Sequence, residues 1–99
     1  MIRHTVSFTL HHDADSGAER TFLADAERIL TAVPGVRDFA ISRQISPKSP
    51  HRFQFAMTFD DEDVYAAYDA HPAHRDFVAT RWMAEVADFQ ELDLVPYSV

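Results

Sequence analysis

Residues 2–10 alternate strictly. Ile2, His4, Val6, Phe8 and Leu10 point one way, and Arg3, Thr5, Ser7 and Thr9 the other, which predicts a half-buried strand. His4 is the polar member of an otherwise apolar face, and a polar group aimed at a core needs a partner or a wet cavity. A polar loop follows, in which His11 and His12 are expected to be solvated. Ser16 and Glu19 then have the spacing of a capping box. Phe22, Leu23, Ala26, Ile29, Leu30 and Val33 recur at helical spacing, so an amphipathic helix is predicted to about Val33, stopped by Pro34-Gly35.

A second strand is predicted over residues 36–45, with Phe39, Ile41, Arg43 and Ile45 on one face. The Ile45–Pro50 stretch has loop composition, and His51 after it is expected at the surface. Residues 52–59 alternate again, with Phe53, Phe55, Met57 and Phe59 forming an apolar side that reads as plain core. The acidic run Asp60–Asp63 suits the first turn of a helix, whose buried side holds Val64, Ala67 and Tyr68. That helix should end near Ala70. Pro72 is pre-organised for a first helical position, so His71 caps a further helix running to about Ala87, with Phe77, Val78, Trp82 and Val86 inward. A last strand is predicted over Phe89–Tyr97, where Pro96 marks a strand end or an edge.

The order is β-α-β-β-α-β, with the second helical segment broken at His71-Pro72. This is the ferredoxin-like α+β pattern: a four-stranded antiparallel sheet with helices on one face. The other face would carry Thr5, Ser7, Ala40, Ser42, Ala56 and Thr58, which are small and mildly polar. We expect that sheet face to pack on its twin in an isologous homodimer; a solvated sheet face is the alternative.

Length makes residues 1–99 a single domain. The net charge of −7 works against non-specific nucleic-acid binding and against anionic membrane surfaces, both of which need a basic face. The chain has no cysteine, so neither a disulfide framework nor a Cys-based zinc site is available. No segment reads as a signal peptide or a membrane span, which makes a cytoplasmic location the default expectation. Two glycines leave no phosphate-binding loop, and no cofactor is expected.

The chemistry lies near His71-Pro72-Ala73-His74-Arg75-Asp76-Phe77. His74 falls in the first turn of its helix, with Phe77 and Val78 at i+3 and i+4. On the ferredoxin-like frame, His4, His74 and Tyr68 all face the space between sheet and helices. Imidazole exchanges protons near neutral pH, and a phenol can donate to a developing oxyanion. His74 would then be a general base, Tyr68 would polarise a carbonyl, and His4 would orient His74 or bind substrate. The alternative is a non-catalytic dimer in which His74 is structural, so the residues leave open whether this is an enzyme. His71 and His74 alone do not make a metal site, which needs three or four ligands, and none is expected.

The opening Met1-Ile2-Arg3-His4-Thr5-Val6-Ser7-Phe8, the turn Val33-Pro34-Gly35-Val36 and the segment Tyr68-Asp69-Ala70-His71-Pro72-Ala73-His74-Arg75-Asp76-Phe77 resemble the stress-responsive A/B barrel domain (Dabb) family. The resemblance spans nearly the whole chain, and Tyr-x-x-His-Pro-x-His-x-x-Phe is its most specific part. It implies a ferredoxin-like subunit and a homodimeric α+β barrel formed by the two sheets; the space between sheet and helices that His4, His74 and Tyr68 face would be the pocket for a small apolar ligand. A plant polyketide cyclase of that family, which makes olivetolic acid by a cofactor-free C2–C7 aldol cyclisation, has a catalytic histidine matching His74, an assisting tyrosine matching Tyr68 and a pocket histidine matching His4. Phe53 stands where that enzyme has another pocket histidine, and Ala26 stands near its first-helix tyrosine. The resemblance therefore implies His74 and Tyr68 as catalytic residues, and His4, Phe53 and Phe77 as substrate contacts.

Overall fold

Strand β1 (Ile2–Leu10) is central because it pairs on both edges. In the computed structural model, which describes residues 1–99, β1 pairs antiparallel with β3 (Phe53–Phe59) and with β4 (Val86–Leu94). Strand β2 (Arg37–Arg43) adds to the far edge of β3, giving the order β2-β3-β1-β4. Helices α1 (Gly17–Thr31), α2 (Glu62–Ala70) and α3 (Pro72–Phe77) send Phe22, Leu30, Tyr68 and Phe77 into one core with Val6, Phe8, Phe55 and Met57 of the sheet. This is the ferredoxin-like α+β fold, and no helix is long and apolar enough to cross a membrane.

Register decides what meets what. On the helix-covered face, Ile41, Phe55, Val6 and Glu91 form one row across all four strands, and Arg43, Phe53, Phe8 and Phe89 form another. A third row runs Met57, His4, Asp93. On the open face, Ala40, Ala56, Thr5 and Leu92 align, as do Ser42, Gln54, Ser7 and Gln90. Phe8 is the hub of the aromatic core, with ring centroids 4.6 Å from Phe55, 5.1 Å from Trp82 and 6.1 Å from Phe22. Tilted and edge-on pairs of this kind add stability beyond the area they bury.

Local chemistry sets the element ends. The Ser16 side chain accepts from Glu19 N–H at 3.2 Å, and the Glu19 carboxylate reaches back to Asp15 N–H at 2.9 Å. Its other oxygen takes Arg52 Nε at 3.1 Å, which lets a buried acid stay paired. Asp61 caps α2 through Val64 N–H. His71 closes α2 in an extended conformation, and its Nδ1 accepts from Ala73 N–H to cap α3. Beyond Phe77 the helix widens to a π-helical turn over Val78–Trp82, in which Met83 N–H donates to Val78 C=O. Arg81 on this turn bonds Asp25 of α1 at 2.7 Å and Glu85 at 2.5 Å.

Several sequence expectations need correction. The helix ends at Glu85, and β4 begins at Val86 rather than Phe89, because Val86 pairs with Leu10 past a register shift between Thr9 and Leu10. Strand β4 closes at Leu94, before Val95. Strand β2 stops at Arg43, so Ile45 is 83% exposed instead of facing the core. Ala67 is exposed, because α2 turns Val64, Tyr65 and Tyr68 inward. His51 is buried at 7% exposure and lies 3.1 Å from Asp88, since β4 runs alongside its loop. His12 is tied to Glu85 at 2.7 Å rather than solvated.

Gly35 shows how the turn after α1 constrains α2. Its φ is +91°, and a Cβ there would lie 2.5 Å from Val64 Cγ1. Gly35→Ala should destabilise the fold by about 1 kcal/mol or more in urea unfolding. Adding Val64→Ala should recover part of that loss, so a double-mutant cycle should show coupling between the two positions.

Candidate active site

A cavity of about 240 Å³ lies between the sheet and the helices, smaller than the roughly 300–1,000 Å³ of drug-sized pockets. Val6, Phe55 and Met57 form its floor, and Phe77, Val78, Trp82 and Met83 its helical wall. His4, Tyr68, His74, Asp69 and Glu91 are the polar and aromatic-polar groups at its lining. The sequence thus brings His4, Tyr68, His74 and Phe77 together. Phe53 is placed elsewhere: it is buried one row away, 6.0 Å from Phe8 between ring centroids, and does not line the cavity. The strand alternation puts Phe53 on the right face, but as the first residue of β3, one row beyond Phe55 and so outside the cavity.

His74 stands in the first turn of α3 because Pro72 starts that helix. Its Nδ1 lies 2.9 Å from the Asp69 carbonyl oxygen at the end of α2. A carbonyl only accepts, so Nδ1 carries the proton and the neutral ring presents a lone pair at Nε2. The backbone break at His71 supplies this arrangement, since an unbroken helix would keep the Asp69 carbonyl in its own ladder. The orienting partner of His74 is therefore Asp69, and not His4.

Tyr68 packs beside it, with ring centroids 4.4 Å apart. Tyr68 is 2% exposed. Its hydroxyl meets no protein partner, yet no side-chain polar atom is both sealed and unpartnered. The hydroxyl therefore opens into the cavity that Tyr68 lines. Burial, reinforced by the Asp69 and Glu91 carboxylates, pushes the phenol well above its ordinary value near 10. Tyr68 is thus a retained O–H donor.

His4 is held by a different set. It pairs directly across the strands with Asp93, and its Nδ1 lies 2.6 Å from Asp93 Oδ1. The Tyr65 hydroxyl lies 2.9 Å from His4 Nδ1 and 2.9 Å from Asp93 Oδ2. Burial, followed by the hydrogen bond to Asp93, pushes the Tyr65 phenol up as well, so it donates to that carboxylate. With Nδ1 committed, His4 turns Nε2 away from Asp93. His4, Glu91 and Asp93 have ligand atoms within 4.8 Å of one another, the donor types a divalent cation takes. The Tyr65 hydroxyl gives its one proton to Asp93 and so ties Asp93 and His4 into one hydrogen-bonded set, while Glu91 Oε1 lies 3.5 Å from the same hydroxyl without a share of that proton.

Tyr65, Asp69, Glu91 and Asp93 were missed by sequence reasoning. The alternation of Glu91 and Asp93 on one side of β4 was a usable signal, but only the antiparallel register puts Asp93 opposite His4. Tyr65, one turn before Tyr68 on α2, carried the other.

The family model for the Stress Responsive A/B Barrel Domain matches residues 2–96. A Dabb family protein with a ferredoxin-like fold from Mesorhizobium loti is 49% identical, with a TM-score of 0.97 over 98% of this chain and 97% of that one. A dimeric ferredoxin-like protein from Thermobifida fusca is 22% identical, with a TM-score of 0.75 over 96% of this chain and 90% of that one. A hydroxynitrile lyase from Passiflora edulis is 13% identical, with a TM-score of 0.84 over 99% and 94%. The last two likenesses concern the fold alone. No curated protein matches the chain.

The raised phenols have a consequence for stability. A tyrosine that holds its proton more tightly when folded loses that advantage once the unfolded chain ionises. Stability should therefore fall as pH rises from about 10 toward the raised folded value. Urea unfolding of wild type and Tyr68→Phe across that range should show a shallower decline in the variant; parallel curves would mean that the phenol is not buried as described.

Proposed function

The chain belongs to the stress responsive A/B barrel domain family, and on that premise we propose that it binds a small, apolar carbonyl compound and moves a proton on it without a cofactor. The observation that carries this is the pairing of an oriented base with an unpartnered donor in one apolar cavity: His74, with Nδ1–H committed to Asp69, beside the free Tyr68 hydroxyl. His74 Nε2 takes a proton from the carbon next to the carbonyl. The C–H electron pair moves into the C–C bond, and the carbonyl oxygen, becoming an enolate, accepts from Tyr68. His4 and Phe77 bound the space that the ligand fills. Apolar walls strengthen both interactions by excluding water. The same fold houses a lyase in Passiflora edulis, so it can support catalysis; that is fold-level analogy.

A second reading rests on the same hydrogen bond. His74 Nδ1 to Asp69 C=O ties α3 to α2 across the break, which is reason enough for a histidine there in a non-catalytic protein. The two readings differ at Tyr68, because a structural role for His74 has no use for an unpartnered phenol.

The proposal extends to assembly and location. Dimeric relatives share the fold. The open face holds Ala40, Ala56 and Thr5, and adds Leu92 and Leu94, which are 50% and 51% exposed. We take this face as the homodimer contact, and the cytoplasm as the site of action.

Incubating the protein with 4-phenylbutan-2-one in D₂O should give enzyme-dependent deuterium incorporation beside the carbonyl, followed by NMR. His74→Ala should slow it by about 10²-fold or more, and Tyr68→Phe by a comparable factor. Exchange unaffected by either change, in folded variants, would leave the structural reading. For the assembly, Leu92→Glu should shift the protein to a monomer in sedimentation velocity, whereas a Glu62→Gln control should not.

A further inference from the structure

The rim of the cavity carries one sign of charge. Asp69 and Glu91 line the cavity and also line a shallow groove beside it, together with Glu62 and Tyr65. Neither space has a lysine or arginine in its lining. The basic side chains with defined partners are engaged elsewhere: Arg3 with Thr58 and the Asp38 carbonyl, Arg20 with the Asp15 carbonyl, Arg28 with Asp25, Arg37 with Asp60, Arg52 with Glu19, and Arg81 with Asp25 and Glu85. Inside the acidic rim the walls are aromatic, with Tyr68, Trp82 and Phe89 presenting rings to the cavity. The interior end has its own ligand signal: Tyr68 is 2% exposed, and its hydroxyl has no protein partner and opens into the cavity.

From this we infer that the ligand carries a positive charge at its outer end: an apolar carbonyl compound bearing a primary or secondary ammonium, with carboxylates and phosphates excluded. The inference rests on the small-ligand reading above and adds the charge. The carbonyl would lie deep, against Tyr68 and His74. The ammonium would lie at the mouth, between Asp69 and Glu91, where aromatic faces also favour a cation. An anionic ligand would meet two carboxylates with no counter-cation, which selects against it as much as the attraction selects for the cation.

Three probes with one phenylpropyl body separate the ideas: 3-phenylpropylammonium, 3-phenylpropan-1-ol and 3-phenylpropanoate. Each would be titrated into wild type at pH 8 and low ionic strength, with binding read from the ring signals of His74 and Trp82 by NMR. The ammonium should bind about tenfold more tightly than the carboxylate, as expected for two exposed acids acting on opposite charges. The alcohol should fall between them. The gap should shrink with added salt and in the Asp69→Asn, Glu91→Gln double variant, which changes only exposed side chains. Equal binding of all three probes would overturn the charge inference and leave the small-ligand reading intact. Failure of all three to perturb the cavity signals would also overturn the charge inference, while the deuterium exchange of 4-phenylbutan-2-one decides the small-ligand reading separately.

Discussion

Two-sided pairing of β1 is the constraint on which the rest depends. Because β1 is flanked by β3 and β4, its inward residues His4, Val6 and Phe8 are each fixed against two neighbours at once. Phe8 is sealed between Phe53 and Phe89, and Val6 between Phe55 and Glu91. His4 is set between Met57 and Asp93. A slip of one residue would turn every one of these side chains to the other face. It would put Leu92 and Leu94 inward and expel Asp93. The core and the candidate site therefore share one register.

The second constraint is the break between α2 and α3. Ending α2 at Ala70 frees the Asp69 carbonyl from the helical ladder, and starting α3 at Pro72 puts His74 within reach of it. The break thus does two things with one device. It turns the chain, and it chooses which nitrogen of His74 is left free. The π-helical turn that follows brings Trp82 onto Phe8 and Phe89, closing the far side of the same space.

The two imidazoles of the cavity differ in what holds them. His74 is oriented by a neutral carbonyl and His4 by a carboxylate, itself held by the Tyr65 hydroxyl. A hydrogen bond to a charged acceptor is shorter and stronger than one to a neutral acceptor, here 2.6 Å for His4 against 2.9 Å for His74. The two sides of the cavity are therefore not equivalent, although both are built from histidine. Tyr68 sits between them, 6.3 Å from His4 and 4.4 Å from His74 by ring centroids, as an uncommitted donor.

Strand and helix identity were legible because each rests on local periodicity. The alternation of residues 2–10 and 53–59, the caps at Ser16 and His71, and the stop at Pro34-Gly35 all act within a few residues. Tyr68, His74 and His4 were legible as cavity residues because their faces follow from those periods. The ends of β2 and β4 were not, because a strand stops where its neighbour stops, and the neighbour is distant in sequence. His51 read as a surface residue because its cover comes from β4, nearly forty positions away. Asp93 read as one more acid of an acidic chain until the register set it 2.6 Å from His4. The sequence by itself determined which residues could face a common interior, since that depends on the pitch of each element. Only the tertiary structure decided which of them touch, since that depends on register and on where each strand ends.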